Sequence, residues 1–456
     1  MWFVSGIAMI YARGMPSLTP ESRLQHLPKL DPSAVLLNPV QALQRTRFSG
    51  SPRSATLLTV LNRPAYRFIG RGAATVFADS GELLEMTPAR AVESASLFMN
   101  LTADKIHDAG FLTEPDQWTV GDRRSLPLYK FTVDDELGTV LYVSERTGEV
   151  AVLTTQGSRS LAWIAAIPHW LYFEALRSRP ELWRQVVLWA SGLATIASLI
   201  GLILSVIQYR RRRPHIPYAG WLRWHYITGV VFGIFTVTWV FSGFLSMEPW
   251  FWASDGGLGA GMEESLQGGS LDLTKFEVAV PMVEGAKEIQ FRTILGEPYY
   301  QIQAEDPKPV MVSAVSQQVR QEPFETSSLV SRVLAPTPDV KVLETTLLDT
   351  YDSYYYSFNG RAPLPVLRLK FDDPDSTWIY LDPQTSSLVG RAHFRERIQR
   401  WIYHGLHSLD FSFWYYNRPL WDTGVIVLSL GGTALSLIGV VIAWKRVTRA
   451  IVRSRS

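Results

Sequence analysis

Histidines close to the ends of apolar segments are the residues of this chain most able to carry out chemistry. His404 and His407 lie three residues apart, on one side of a predicted helix, just before the last apolar segment. A shift of 238 residues (407 minus 169) places His407 on His169, and the tryptophan six residues before each also matches. Ionisable residues at a membrane edge are costly and usually functional. Paired neutral imidazoles in an apolar setting are the axial ligands that a b-type haem iron takes, so these histidines predict a haem site.

A fourth histidine lies at a different membrane depth. His225 is about one turn inside its apolar segment, and Gly229 and Gly233 follow it on the same helical face. These glycines allow either close packing of a neighbouring helix or room for a flat macrocycle above a ligand. We expect His225 to ligate a second haem iron. The alternative is that all four histidines form hydrogen bonds across helix contacts.

Three charged residues near the histidines are candidate supporting groups. Arg223 and Arg400 lie close to them in sequence, and either guanidinium suits a haem propionate or a lipid headgroup. Asp410 follows His407 by three residues, where it could orient the imidazole or stabilise the turn at the helix end. The sequence leaves both alternatives open for each residue.

The apolar residues, 47% of the chain, are concentrated in three segments of membrane-spanning length, 186–209, 221–247 and 421–444. Four arginines at 210–213 follow the first, and a basic tail follows the last. The positive-inside rule makes both basic segments cytoplasmic and the long polar segments periplasmic. Because the basic runs abut membrane segments, we expect no nucleic-acid partner. The chain has no cysteine, which excludes disulfides, thiolate metal sites and iron–sulfur clusters.

The polar parts indicate an internal repeat. The 238-residue shift aligns Leu126-Pro127 with Leu364-Pro365, and each neighbourhood predicts a β-hairpin. At a shift of 237, Trp2-Phe3-Val4-Ser5-Gly6 matches Trp239-Val240-Phe241-Ser242-Gly243, so residues 1–11 correspond to only the outer end of a span. We expect a shortened four-span protein whose inner haem site is incomplete. The alternative is a three-span protein with a membrane-dipping N-terminus.

The predicted fold class is an α+β integral membrane protein, with transmembrane helices in two tandem repeats that each carry a periplasmic α+β domain. The boundaries define ten segments: a remnant of a first transmembrane helix (1–12), periplasmic domain 1 (13–158), a His-bearing interfacial helix (159–180), a transmembrane helix (181–209), a cytoplasmic loop (210–220), a transmembrane helix (221–247), periplasmic domain 2 (248–393), a second His-bearing interfacial helix (394–419), a transmembrane helix (420–444) and a cytoplasmic tail (445–456).

The histidine motifs resemble the PepSY-associated transmembrane family. They are Ile167-Pro168-His169-Trp170-Leu171-Tyr172-Phe173, Trp224-His225, and Tyr403-His404-Gly405-Leu406-His407-Ser408-Leu409-Asp410-Phe411. The resemblance covers nearly the whole chain, and both periplasmic domains look like PepSY modules. It implies a multi-pass protein of the bacterial inner membrane that serves iron uptake, in a family with two-haem ferric-siderophore reductases. The family's first span, with its own histidine, is absent here. A full-length member is thus expected to hold two haems b, and this chain one if the inner site is incomplete.

Together these features predict a haem-dependent ferric (siderophore) reductase. One haem cannot bridge a hydrocarbon core of about 30 Å, so His225 near one face and the other histidines near the opposite face would serve separate haems. The expected partners are the lipid bilayer, a ferric siderophore or other periplasmic Fe(III) acceptor, and a separate electron donor, either a quinol or another reductase. The competing hypothesis is a non-redox membrane protein whose PepSY modules bind or regulate a periplasmic peptidase or assist a transporter.

Overall fold

The computed structural model describes residues 1–12, 14–48, 50–209, 215–249, 261–276, 281, 283–306, 308–357 and 361–455. The arginine run at 210–213 and the first part of the second polar segment, 250–260, lie outside the described residues. The chain divides into two compact units. The helical unit comprises Met1–Met15, Ser158–Ser254 and Arg395–Ser456, and the sheet unit comprises Pro16–Gly157 and Asp255–Phe394.

Three helices of the helical unit are long and apolar enough to cross a membrane: α8 (Pro180–Ile207), α9 (Gly220–Leu245) and α14 (Leu420–Arg455). At 1.5 Å per residue, α8 and α9 are each about 40 Å long, which exceeds a hydrocarbon core of about 30 Å. Only 6%, 11% and 22% of their most apolar windows are buried inside the protein. Their apolar side chains therefore face outward, as lipid contact requires, and the structure contains the three helices of membrane-spanning length that the sequence predicts.

A short N-terminal helix, α1 (Trp2–Met9), packs on α14 and on α6 (Ala166–Trp170). Eight residues rise only about 12 Å, so α1 is too short to cross a bilayer. The Phe3 ring occupies the space beside Gly432 of α14, where an added Cβ would lie 2.7 Å from the ring. Glycine at this position therefore lets α1 and α14 approach closely.

Short helices precede α8 and α14 in the chain. The additional ones are α5 (Gln156–Ile164), α7 (Glu174–Arg177), α12 (Phe394–Gln399), a π-helix (Arg400–Ser408) and α13 (Ser412–Tyr415). The π-helix corrects one expectation from the sequence. Its hydrogen bonds run from i to i+5 and widen the turn, so His404 and His407 are separated by a larger angle around the axis than in an α-helix. Gly405 lies inside this widened turn, packed between the rings of Trp401 and Phe411.

The described part of the sheet unit contains fourteen strands in three sheets. The strands are β1 (Ser54–Val60), β2 (Arg63–Ile69), β3 (Ala73–Phe77), β4 (Ile106–Leu112), β5 (Leu128–Val133), β6 (Val140–Ser144), β7 (Val150–Thr154), β8 (Glu288–Ile294), β9 (Glu297–Gln303), β10 (Val310–Ser313), β11 (Val342–Leu348), β12 (Val366–Phe371), β13 (Trp378–Asp382) and β14 (Ser387–Ala392). Its helices are α2 (Pro20–His26), α3 (Pro39–Gln44), α4 (Pro88–Met99), α10 (Met262–Gln267) and α11 (Thr326–Leu334).

The largest sheet joins the two polar segments of the chain. Its strand order is β10-β9-β8-β1-β2-β3, with every neighbouring pair antiparallel. β1 and β8 pair in its middle, with Ala55 opposite Phe291, and the fully buried Leu57 and Tyr66 pack in the core beneath. The two segments that the sequence divides into separate domains therefore share one hydrogen-bonded sheet.

The other two sheets have matching topologies. Their strand orders are β4-β5-β6-β7 and β11-β12-β13-β14, and each has a register shift immediately after a buried tyrosine, Tyr142 or Tyr380. α4 packs on the first sheet through Ala91 and Ala95, while Leu329 of α11 joins the core of the second. The common strand order is what an internal repeat predicts for these hairpins.

Candidate functional site

The imidazoles of His169 and His407 lie together in the helical unit. His169 is on α6 and His407 is near the end of the π-helix, with ring centroids 5.9 Å apart and ring planes at 64°. Two imidazoles on opposite sides of one metal ion, each bound through a nitrogen at about 2 Å, have centroids about 6 Å apart. The separation of the two rings is compatible with two imidazoles that share one metal ion, and it is also within the range of ordinary ring packing.

A serine from a neighbouring helix contacts each imidazole at Nδ1. Ser5 Oγ of α1 lies 3.2 Å from Nδ1 of His169. Ser242 Oγ of α9 lies 2.9 Å from Nδ1 of His407. These serines correspond in the matched motifs, as the two histidines do, so the same contact is built twice. Because Nδ1 is engaged, Nε2 is the atom of each ring suited to a metal ion.

A leucine in a left-handed backbone conformation ends each histidine segment. Leu171 has φ of 54° and Leu409 has φ of 52°, and the 238-residue shift relates the two positions. A bulky residue with positive φ is uncommon and costs energy, and such strain clusters at functional sites. The left-handed conformation turns the chain sharply two residues after each histidine.

Two indoles hold the ends of the histidine segments. Trp183 Nε1 donates to the carbonyl of Trp170 at 2.8 Å. Trp421 Nε1 donates to the carbonyls of Ser408 at 3.2 Å and Leu409 at 3.1 Å. Trp170 and Ser408 directly follow the two histidines, and carbonyls at a helix end need such partners. Each histidine is therefore tied to the start of a membrane-spanning helix.

Burial controls the charge of these histidines. It lowers the pKa of His169 below its ordinary value. It lowers the pKa of His407 to about 4, with repulsion from His169 in the same direction and a hydrogen bond to the Trp239 backbone opposing it. Both rings are therefore neutral at neutral pH, which is the form that binds a metal ion.

His404 lies next to this pair but does not replace His407 in it. Tyr403 contacts both, with its ring 4.8 Å from that of His404 and stacked 5.2 Å from that of His407. Burial lowers the pKa of His404 below its ordinary value as well. In the described chain, the ring contact of His169 is with His407, so the geometry favours His407 and ligation by His404 stays a prediction.

Arg400 and Asp410 form a buried ion pair beside the histidine segment. Arg400 Nη1 lies 2.8 Å from Asp410 Oδ1, and Nη2 donates to the Asp410 carbonyl at 3.2 Å. The guanidinium also lies 4.8 Å from the Trp401 ring centroid. Asp410 therefore closes the turn after the π-helix, one of the two roles left open by the sequence. Contact of Arg400, or of Arg223 in the first turn of α9, with a propionate stays a prediction.

His225 lies at a different depth of the helical unit. It precedes Ser242 on α9 by seventeen residues (242 minus 225), or about 25 Å along the helix axis. Its ring lies against α14 at Gly439, where an added Cβ would be 3.4 Å from Cε1. Its Nδ1 is buried without a hydrogen-bond partner among the described residues. His225 is therefore separate from the pair and has a nitrogen that a ligand could engage.

The glycines near His225 are explained by helix packing. An added Cβ at Gly229 would lie 3.7 Å from Leu435, and one at Gly233 would lie 3.4 Å from Leu202. Both neighbours belong to adjacent long helices. Of the two alternatives for this glycine strip, close packing is the one these contacts support.

A second group of possible metal ligands lies in the sheet unit. Asp373, Asp375 and His393 offer ligand atoms that all lie within 4.8 Å of one another. However, both oxygens of Asp373 accept hydrogen bonds from Thr377, each at 2.6 Å. The first half of the chain has the same Asp–Thr turn at Asp135. The turn therefore accounts for Asp373 without a metal ion.

Sequence reasoning assigned no role to several residues of the site. Ser5 and Ser242 occur in the matched motifs, and the 238-residue shift also relates Trp183 to Trp421, so the repeat was a usable signal for all four residues. Tyr403 had no such signal, because the corresponding residue in the first half is Ala165. Its stacking on His407 is evident only from the structure.

These observations define an α+β membrane protein with a buried, neutral histidine pair supported by serines and tryptophans from neighbouring helices. The sequence profile described as the PepSY-associated TM region matches residues 57–446. The chain therefore belongs to this family, as the resemblance predicts. In a comparison with curated proteins, no match to the chain is found.

Proposed function

We propose that this chain is a haem-b protein of the bacterial inner membrane that passes electrons across the membrane to reduce Fe(III), held by a siderophore or similar chelator, in the periplasm. The observation that carries the proposal is the His169–His407 pair, with its centroid separation of 5.9 Å.

The surroundings of the pair fit a haem. Burial keeps both rings neutral, a serine engages Nδ1 of each, and an indole fixes the end of each histidine segment. His169 and His407 would hold the haem, which would supply one-electron transfer at this site. The residues themselves supply orientation and exclude competing ligands.

The spacing of the histidines supports transfer across the membrane. α9 carries Ser242, which contacts His407, near one end and His225 near the other, about 25 Å apart along its axis. That distance is most of a hydrocarbon core of about 30 Å. We assign His225 to one ligand position of a cytoplasmic-side haem site, which we expect to be incomplete in this chain. The two equivalent histidine environments are interpreted as products of an internal repeat.

The proposed reaction is the transfer of one electron to each Fe(III), which yields Fe(II). Hard oxygen donors hold Fe(II) less tightly than Fe(III), so the chelator releases the reduced ion. The electron is supplied by a separate donor, a membrane quinol or another reductase. Family membership supports this substrate class, since relatives with this activity are implied by the resemblance.

The decisive experiment is a reduced-minus-oxidised absorption spectrum of the purified full chain, with haem quantified per polypeptide. We expect b-type bands in the wild type, and loss of the outer haem in His169→Ala and in His407→Ala. His404→Ala should retain it. His107→Ala, on the exposed face of β4, is the matched control and should resemble the wild type. Absence of b-type bands from the wild type would favour the non-redox PepSY alternative.

A further inference from the structure

We propose that Ser5 and Ser242 are positioning residues that hold the Nδ1 proton of His169 and His407 and thereby direct Nε2 of each ring to the iron. The inference rests on the proposed haem function and deepens it. It concerns residues that touch the ligands rather than the haem, so it predicts a change in the properties of the bound haem rather than only its presence.

Each serine hydroxyl donates its proton to its own helix. Ser5 Oγ donates to helix carbonyls, with Trp2 O at 3.0 Å and Met1 O at 3.1 Å. Ser242 Oγ donates to Trp239 O at 3.0 Å. A hydroxyl has one proton, so with that proton on a helix carbonyl, a lone pair of Oγ faces the imidazole. Nδ1 must then donate.

The helix backbone behind each serine supports this assignment. Trp2 O accepts from Ser5 Oγ, and Trp239 O accepts from Ser242 Oγ. A carbonyl oxygen only accepts hydrogen bonds, so it holds the hydroxyl proton on the side away from the imidazole. The tautomer that fits each serine has the proton on Nδ1 and the lone pair on Nε2.

A hydrogen bond from Nδ1 to a serine changes how strongly the imidazole binds a metal ion. An acceptor behind a ligating histidine fixes the orientation of the ring and raises the basicity of the ligand. A more basic ligand stabilises the more highly charged Fe(III) relative to Fe(II). The serines should thus lower the midpoint potential of the outer haem. Ser242 has the shorter contact, 2.9 Å against 3.2 Å, so its contribution should be the larger.

The simpler explanation is that these serines only bond back to their own helices, as serine often does in membrane helices. Ser246 does so in the next turn of α9, donating to Gly243 O at 2.7 Å. Among the described residues, Ser246 Oγ bonds to its own helix and not to a histidine, so it provides a matched control. If Ser5 and Ser242 position the imidazoles, their replacement by alanine changes the bound haem, whereas Ser246→Ala does not. If all three serines only bond to their own helices, none of these substitutions changes the haem.

The test uses the purified full chain with haem bound, and measures midpoint potential and haem affinity in Ser5→Ala, Ser242→Ala, Ser242→Thr and Ser246→Ala. Both Ala variants at the histidine contacts should raise the potential and weaken haem binding by about 10- to 100-fold. Ser242→Thr keeps the hydroxyl and should restore wild-type values. Ser246→Ala should be unchanged.

The outcomes separate this inference from the proposed function. If the wild type binds no haem, the proposed function is wrong. If it binds haem and neither Ser5→Ala nor Ser242→Ala changes the potential or the affinity, the positioning role is wrong while the function stands. Because the two serines lie on different helices, misfolding of one variant leaves the other to decide.

Discussion

At the scale of single residues, the environment of His407 is richer than that of His169. Tyr403 stacks on His407, whereas the equivalent position in the first half is Ala165. The serine contact is also shorter at His407. Both candidate ligands therefore have a serine at Nδ1, but His407 has more contacts that fix its ring. Substitutions around His407 should affect the site more than those around His169.

The low pKa of His407 gives a pH dependence with a definite sign. The unfolded chain takes up a proton as pH falls through about 6.5, whereas folded His407 does so only near pH 4. The folded state therefore loses stability as pH falls across this window, by roughly 3 kcal/mol at most, and is unaffected above it. Thermal unfolding of the full chain between pH 8 and pH 4 measures this loss.

Haem absorbance should follow the same titration. Because only the neutral ring ligates iron and protons compete with iron for it, the b-type bands should persist through pH 6.5 and be lost only at lower pH. His407→Gln should flatten the dependence of the unfolding temperature on pH. A haem loss centred near pH 6.5 would show that His407 titrates as an ordinary exposed histidine.

The Arg400–Asp410 pair predicts a large loss of stability from a single substitution. Arg400→Ala removes the guanidinium that lies 2.8 Å from the buried Asp410 carboxylate, and loss of one partner of a buried ion pair costs about 3–5 kcal/mol. The double variant with Asp410→Ala removes both charges and should lose less than Arg400→Ala alone. Thermal unfolding in detergent compares the three proteins. Equal stability of Arg400→Ala and the wild type would refute a structural role for the pair.

At the scale of elements, the histidine segments are fixed where they join the long helices. A strained leucine ends each segment, and an indole from the following helix binds its carbonyls. These contacts join the position of each histidine to a membrane-spanning helix. Orientation of the imidazoles is thus a property of the helix packing rather than of the short segments alone.

Removing an indole donor should disturb this junction. Trp421→Phe keeps most of the ring but leaves the carbonyls of Ser408 and Leu409 unpaired, which costs about 1–3 kcal/mol. We expect a lower unfolding temperature together with weaker haem retention. Trp189→Phe on α8, with an exposed indole, is the control and should change neither. Normal haem retention in Trp421→Phe would show that the junction does not position His407.

Local patterns in the sequence predicted the helices and hairpins well, but they predicted the contacts between these elements poorly. The apolar runs gave three long helices, and the hairpins were recognisable from alternation and turn residues. The π-helix at 400–408 was missed, because residue order alone does not distinguish an α-turn from a widened one. The pairing of His169 with His407 was predicted from the repeat, whereas their serine partners depend on packing between helices.

At the scale of the whole molecule, the two polar segments are joined by more than one kind of contact. β1 pairs with β8, and Arg23 bridges Glu149 of the first segment and Glu288 of the second at 2.9 and 2.7 Å. Arg67 also pairs with Glu149. Sequence reasoning divided this region into two domains, because strands more than 200 residues apart leave no local sign that they pair.

This charge network predicts that Glu149 is critical for the sheet unit. Glu149→Ala removes the shared acceptor of Arg23 and Arg67, and leaves the buried Arg67 guanidinium without an anion, at a cost of about 3–5 kcal/mol. Denaturant unfolding, followed by limited proteolysis, measures the loss. Lys105→Ala, in the exposed pair with Asp134, should have little effect. A similar small effect in Glu149→Ala would contradict the proposed importance of the network.

The central sheet also determines the order in which this protein can be completed during synthesis. β1 ends at Val60 and its partner β8 begins at Glu288, so 227 residues (287 minus 60), including α8 and α9, are made between them. At 5–20 residues per second this takes roughly 10–45 s. Throughout that time β1 has an unpaired edge, the kind of edge that other chains can join. The nascent first segment must therefore be shielded until the second one arrives.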